Sequence, residues 1–122
     1  MKLNQQLSLV FIFLIFGCNH TSNAPKLCSL SHMDTATVAG QLQYDVSATG
    51  SATVTSITYV GNTGSITVTN PVLPFEVNLQ ILAGATISIA VEGLTPTGNI
   101  TGGYTFLANT GGIPMVVKAT CN

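Results

Sequence analysis

Apolar residues in this chain recur at every second position, in one short run after another, from Leu42 to Cys121. Leu42, Tyr44 and Val46 alternate with Gln41, Gln43 and Asp45. Phe75, Val77, Leu79 and Ile81 alternate with Glu76, Asn78 and Gln80, and Ile87, Ile89 and Val91 with Ser88, Ala90 and Glu92. Successive side chains of a strand point to opposite faces, so this period marks strands with one face in a core. No long segment carries the i, i+3, i+4 spacing of an amphipathic helix. The expected fold is all-β.

The runs are divided by turn residues. Ala48 to Ser51 turns the chain, and Thr53 to Val60 changes phase between Val54 and Ile57, which implies a β-bulge. Gly61-Asn62-Thr63-Gly64 is a hairpin signal; Ile66 and Val68 follow as an inward pair before Asn70-Pro71 stops the strand. Leu94 to Gly98 reads as a loop. Ile100, Gly102, Tyr104 and Phe106 share one face of the next strand. After the turn at Asn109 to Gly112, Ile113, Met115, Val117, Ala119 and Cys121 share a face of the last. Seven short strands at this spacing predict a seven-stranded, immunoglobulin-like β-sandwich over residues 31–122.

The amino terminus has a different grammar. Lys2 precedes an apolar run from Leu7 to Phe16 that only Ser8 interrupts. A spanning helix needs about twenty apolar residues, so this run has the length of an export-signal core. Its end, Ile15-Phe16-Gly17-Cys18, resembles the lipobox of bacterial lipoproteins, with Phe16 bulkier than usual. That resemblance implies a signal peptide over residues 1–17 and a diacylglyceryl group on Cys18. Residues 18–30, without periodicity, then read as a lipidated tether. Two or three acyl chains, at about 0.8 kcal/mol per buried methylene, hold a protein on a membrane almost permanently. An ordinary cleaved signal or an uncleaved anchor are the alternatives. Three cysteines are present, and lipid on Cys18 leaves Cys28 and Cys121 as an even pair for a disulfide in an oxidising compartment.

Charge is nearly absent: Lys26 and Lys118 face Asp34, Asp45, Glu76 and Glu92 beyond the signal, and there is no arginine. Nucleic-acid binding rests on phosphate neutralisation by basic side chains, so that class is excluded. Attraction to anionic lipid through a basic cluster is equally unsupported.

Candidate chemistry is sparse. His20 lies in the tether, and His32 stands two residues from Asp34, which is too few ligands for a closed metal site. His32 is the one plausible base for a triad, and no nucleophile elbow surrounds any serine. Neither Cys28 nor Cys121 has the basic neighbour that favours a thiolate. No helix follows Gly102-Gly103 or Gly111-Gly112, so they read as a packing gap and a turn, not as phosphate cradles. No catalytic residue, cofactor or metal is expected. Asn19 to Thr21 and Asn99 to Thr101 match the N-glycan acceptor pattern, which carries little weight in a bacterial lipoprotein. Asp34-Thr35-Ala36 resembles the short motif O-glycosylated in exported Bacteroidetes proteins, which makes Thr35 a candidate site. Tyr44, Tyr59 and Tyr104 sit at strand periodicity and read as core.

From Leu42 onward the landmarks resemble the extracytoplasmic domain of the MmpS family, small exported accessories of lipid-exporting RND transporters. The carrying segments are Leu42-Gln-Tyr-Asp-Val46, Ala52-Thr-Val-Thr-Ser-Ile-Thr-Tyr59, Gly61-Asn-Thr-Gly64, Leu73-Pro74-Phe75, Gly98-Asn-Ile-Thr101 and Ala119-Thr-Cys121. The family places a second cysteine where this chain has Gly102. That departure leaves Cys28 as the partner for Cys121 and implies that the N-terminal segment folds back to the last strand, with Cα atoms within about 7 Å.

These readings converge on a non-enzymatic, lipid-anchored envelope protein acting as a binding or transport-accessory module. Its implied partners are the membrane, through the N-terminal lipid, and an export pump or an apolar envelope molecule. The alternatives are a surface-adhesion, structural or glycan-contacting lipoprotein, or an inhibitor-like domain presenting Leu94 to Gly98. The segment Asn19-His-Thr-Ser-Asn lacks the acidic cluster that marks surface export in some Bacteroidetes lipoproteins, which favours a periplasm-facing outer-membrane position.

Overall fold

The computed structural model describes residues 26–122, which form eight antiparallel strands and no helix. They are β1 (Lys26–Thr35), β2 (Gly40–Ala48), β3 (Thr53–Gly61), β4 (Gly64–Thr69), β5 (Phe75–Ile81), β6 (Thr86–Thr95), β7 (Ile100–Ala108) and β8 (Met115–Cys121). Two four-stranded sheets, in the orders β1-β6-β3-β4 and β5-β2-β7-β8, pack as a sandwich. The two-layer, all-β architecture expected from the alternation is present. Only β3–β4 and β7–β8 are hairpins within one sheet, and every other connection crosses between sheets.

The eighth strand is β1, whose first five residues the sequence reading assigns to the tether. Its alternation is hidden in sequence because the inward positions include His32 and Asp34, while Leu27 and Met33 point outward, 86% and 80% exposed. Pairing with β6 from Lys26↔Thr95 to Thr35↔Thr86 makes it a strand nonetheless. That pairing and Thr53↔Leu94 also carry β6 through Leu94 and Thr95, which the sequence assigns to a loop.

The core lies between the sheets. Leu42, Tyr44 and Val46 of β2 meet Ile57, Ile87, Ile89 and Val91 of the opposite sheet, all at 1% exposure or less. Burial on this scale, at about 25 cal/mol per Å2 of apolar surface, is the main force closing the sandwich. All three tyrosines are core residues, and Tyr59 bridges the rings of Tyr44 and Phe75 at centroid distances of 5.4 and 5.8 Å. The bulge falls where the phase change places it: the β3–β6 register shifts between Val54 and Ser56. Asn62 and Thr63 form the two-residue hairpin tip between paired Gly61 and Gly64.

Three inward assignments fail at sheet margins, Met115 among them at 42% exposure as the first residue of edge strand β8. Ile66 is 37% exposed, because β4 is an edge strand where cover from the second sheet runs out. Ile113 is 96% exposed and lies outside β8, since Pro114 offers no N–H to the ladder and the strand begins only at Met115.

Candidate functional site

The disulfide defines one side of the molecule. Cys28 lies near the start of β1 at the edge of one sheet, Cys121 ends β8 at the edge of the other, and a bond joins them. Their Cα atoms are 5.9 Å apart, within bridging reach. Cys28 is 1% exposed, so this is a structural bond that closes the open flank of the sandwich. Gly102 points to the same interior: a methyl there would meet Val91 Cγ2 at 3.0 Å. Cys18, the signal over residues 1–17 and His20 lie outside the described residues.

The same flank holds the two groups nearest to chemistry. His32 is half-buried on β1, and its Nε2 has no hydrogen-bond partner. Asp34 accepts from the Tyr104 hydroxyl at 3.0 Å and from the Thr35 N–H at 2.8 Å. Burial, then the hydrogen bond to Asp34, pushes the Tyr104 phenol up to about 12. Asp34 is thus used as a strut. Among the described residues, no three His, Cys, Asp or Glu side chains group closely enough to hold a metal ion. Thr35 is exposed on edge strand β1, open to a modifying enzyme.

Strand directions sort the connections into two ends. At the end where β1 begins, the β2–β3 turn is tied to the segment after β6. Thr49 N–H donates to Asn99 O at 2.8 Å, and the Ser51 and Thr97 hydroxyls lie 2.6 Å apart. The stretch Leu94 to Gly98, a candidate inhibitory loop by sequence, is therefore partly strand and partly pinned.

At the opposite end, backbone hydrogen bonds join the three connections that follow β1, β5 and β7. Ala36 N–H donates to Ala85 O, Gly84 N–H to Ala36 O and Asn109 N–H to Ala39 O, at 2.7–3.0 Å. These tied loops expose Val38 (41%), Leu82 (74%) and Ile113 (96%). Apolar side chains grouped at one end of a small domain are candidates for contact with a partner.

Running back from this end, on the outer face of the second sheet, is a groove of about 490 Å3. Its lining includes Gln41 and Gln43 of β2, Asn78 and Gln80 of β5, and Thr105 and Leu107 of β7. Register sets them in rows: Gln80↔Gln41↔Leu107, then Asn78↔Gln43↔Thr105. Pro114 lines it from the segment ahead of β8. Further along this face Lys118 and Asp45 neutralise one another at 3.0 Å. In the sequence these amides are only the outward half of the alternation. The missed signal is that every glutamine between residues 26 and 122 falls at an outward position of β2 or β5.

No family model, curated protein or solved structure matches this chain. The fold and site define a small, disulfide-closed, two-layer β-sandwich with an apolar tip and an amide-lined groove.

Proposed function

We propose that this chain is a non-enzymatic, lipid-anchored binding module of the bacterial cell envelope, assisting transport or assembly there. The observation that carries this reading is the opposition of the two ends. A chain tethered through lipid on Cys18 would enter the sandwich at Lys26, where the exposed Leu27 and Val72 would face the membrane, whereas Val38, Leu82 and Ile113 are exposed at the far end. Eight residues from Cys18 to Lys26 reach about 27 Å at most, so the body would stay near the membrane with its tip turned away. The MmpS-like segments point to an export pump, or an apolar envelope molecule, as what the tip meets. The Ile15-Phe16-Gly17-Cys18 pattern supports the anchor, and the weak charge argues against recognition by ion pairing. The position favoured is the periplasmic face of the outer membrane.

Two measurements test this. Fatty-acid labelling of wild type against Cys18→Ala, with fractionation of both, should give loss of label and release of the variant; an unlabelled, soluble wild type refutes the anchor. A photo-crosslinker at Leu82 or Ile113 in native membranes should capture pump subunits. Capture of a surface polymer instead favours a second reading, a glycan-contacting surface lipoprotein, which the amide groove supports. Thr35 is proposed as an O-glycosylation site, checked by mass spectrometry of the peptide that carries it.

A further inference from the structure

We infer that the groove on the outer face of the β5-β2-β7-β8 sheet is a binding site for a neutral oligosaccharide. The inference builds on the binding-module reading, within its glycan-contacting form, and names both the surface and the ligand class.

Segregation of side chains is the first support. The outward positions of the other sheet are mostly small hydroxyls, including Ser29, Ser31, Ser56, Thr58, Thr67 and Thr69, and they hold no amide. The second sheet instead collects Gln41, Gln43, Asn78 and Gln80 on adjacent strands, in cross-strand register and around a single depression. Solvation alone would be met equally well by hydroxyls, as it is on the first sheet. Long carboxamides lose about 1.5–2 kcal/mol of side-chain freedom when ordered, which a merely wet surface gives no reason to concentrate in one place.

Chemistry then selects the ligand. Each carboxamide offers two donors and an acceptor, which matches a sugar hydroxyl acting as donor and acceptor at once; Asn78 Nδ2 gives one donor to Glu76 Oε1 at 3.1 Å and keeps its acceptor free for this. Thr105 adds a hydroxyl, while Leu107 and Pro114 supply apolar surface for the C–H faces of a sugar ring. No basic residue lines the groove, and the nearby Lys118 is engaged by Asp45, so phosphate and carboxylate ligands find no counter-charge. A peptide adding as a strand would need free backbone groups, but β2 and β7 are paired on both sides beneath the groove, and the free edge of β5 points along the sheet rather than into the groove. The Gln80 Nε2 donates to Asn109 Oδ1 at 3.0 Å, which steadies the amide at the distal rim. The volume suits a few sugar units. Without an aromatic platform in the lining, binding should be weak, with a Kd of about 0.1–1 mM.

The test uses the full chain purified in a detergent without a sugar headgroup. Nitrogen-15 NMR follows its side-chain amide signals during titration with cellohexaose, maltohexaose, mannohexaose and, as a charged control, a galacturonate hexamer. Saturable shifts of Gln41, Gln43, Asn78 and Gln80 with at least one neutral hexamer, and none with the acidic one, are expected. Gln43→Ala and Gln80→Ala should each weaken binding about tenfold, or about 1.4 kcal/mol, with unchanged melting temperature. Glu92→Gln on the other sheet should have no effect. No saturable shift with any neutral hexamer up to about 10 mM, undiminished binding by both amide variants, or preference for the acidic hexamer would overturn the assignment. Any of these would leave the labelling and crosslinking results standing, because those read the anchor and the tip.

Discussion

The Tyr104 hydroxyl donates to Asp34 Oδ2 at 3.0 Å, tying the middle of β7 to the end of β1 on the facing sheet. The phenol is 1% exposed, and its pKa stands at about 12 against the ordinary 10.0. The unfolded chain gives up this proton first. Stability from this group is therefore whole below pH 10, declines as pH rises toward 12, and is gone above it. The two-unit gap corresponds to about 2–3 kcal/mol. Chemical denaturation between pH 9 and 12 should show that decline, and Tyr104→Phe should flatten it. Tyr44, whose phenol burial also raises, should retain a smaller alkaline slope in that variant.

Reduction of Cys28–Cys121 should destabilise the domain by about 4–5 kcal/mol, the chain-entropy value for a loop of this length. The same loss is expected for the Cys28→Ser, Cys121→Ser double variant. Hydrogen exchange should then quicken first in β1, an edge strand that loses its covalent tie to β8. Uniform quickening across both sheets would argue against this division.

Tyr44→Phe should cost about 1–3 kcal/mol although it removes a single oxygen. The β3–β6 ladder ends at Tyr59↔Ile89. One step beyond, the Tyr44 hydroxyl accepts from the Ser88 N–H at 3.1 Å and donates to the Val60 carbonyl at 3.0 Å. It stands in for the next ladder bond, so its loss leaves two backbone groups unpaired near the core. Urea unfolding gives the magnitude, and faster exchange of the Ser88 amide would locate it.

Adjacent glycines should respond unequally to alanine. At Gly103 a methyl would collide with the Val117 carbonyl oxygen, backbone that β7–β8 pairing holds in place. At Gly102 it would meet the tip of the Val91 side chain, which can shift. Gly103→Ala should cost more than about 2 kcal/mol, and Gly102→Ala less than about 1.5 kcal/mol, by thermal unfolding.

What the residues alone determined was the class of fold and the inward faces of β2, β3, β5, β6 and β7. Strand periodicity is a local property, and each run carries its own record of which side avoids water. The Cys28–Cys121 pairing was legible as well, once the lipobox resemblance assigned Cys18 to lipid and left an even pair. Three features were decided only by tertiary structure. Strand β1 has a weak pattern of its own and exists because the β6 edge offers ten residues of register. The exposed tip and the amide groove arise where distant segments meet, at contacts between residues as remote as Ala39 and Asn109 or Gln41 and Gln80. A polar side chain's outward direction can be read from its neighbours in sequence; which other polar groups stand beside it depends on strand order, and that is fixed by the packing of the whole sandwich.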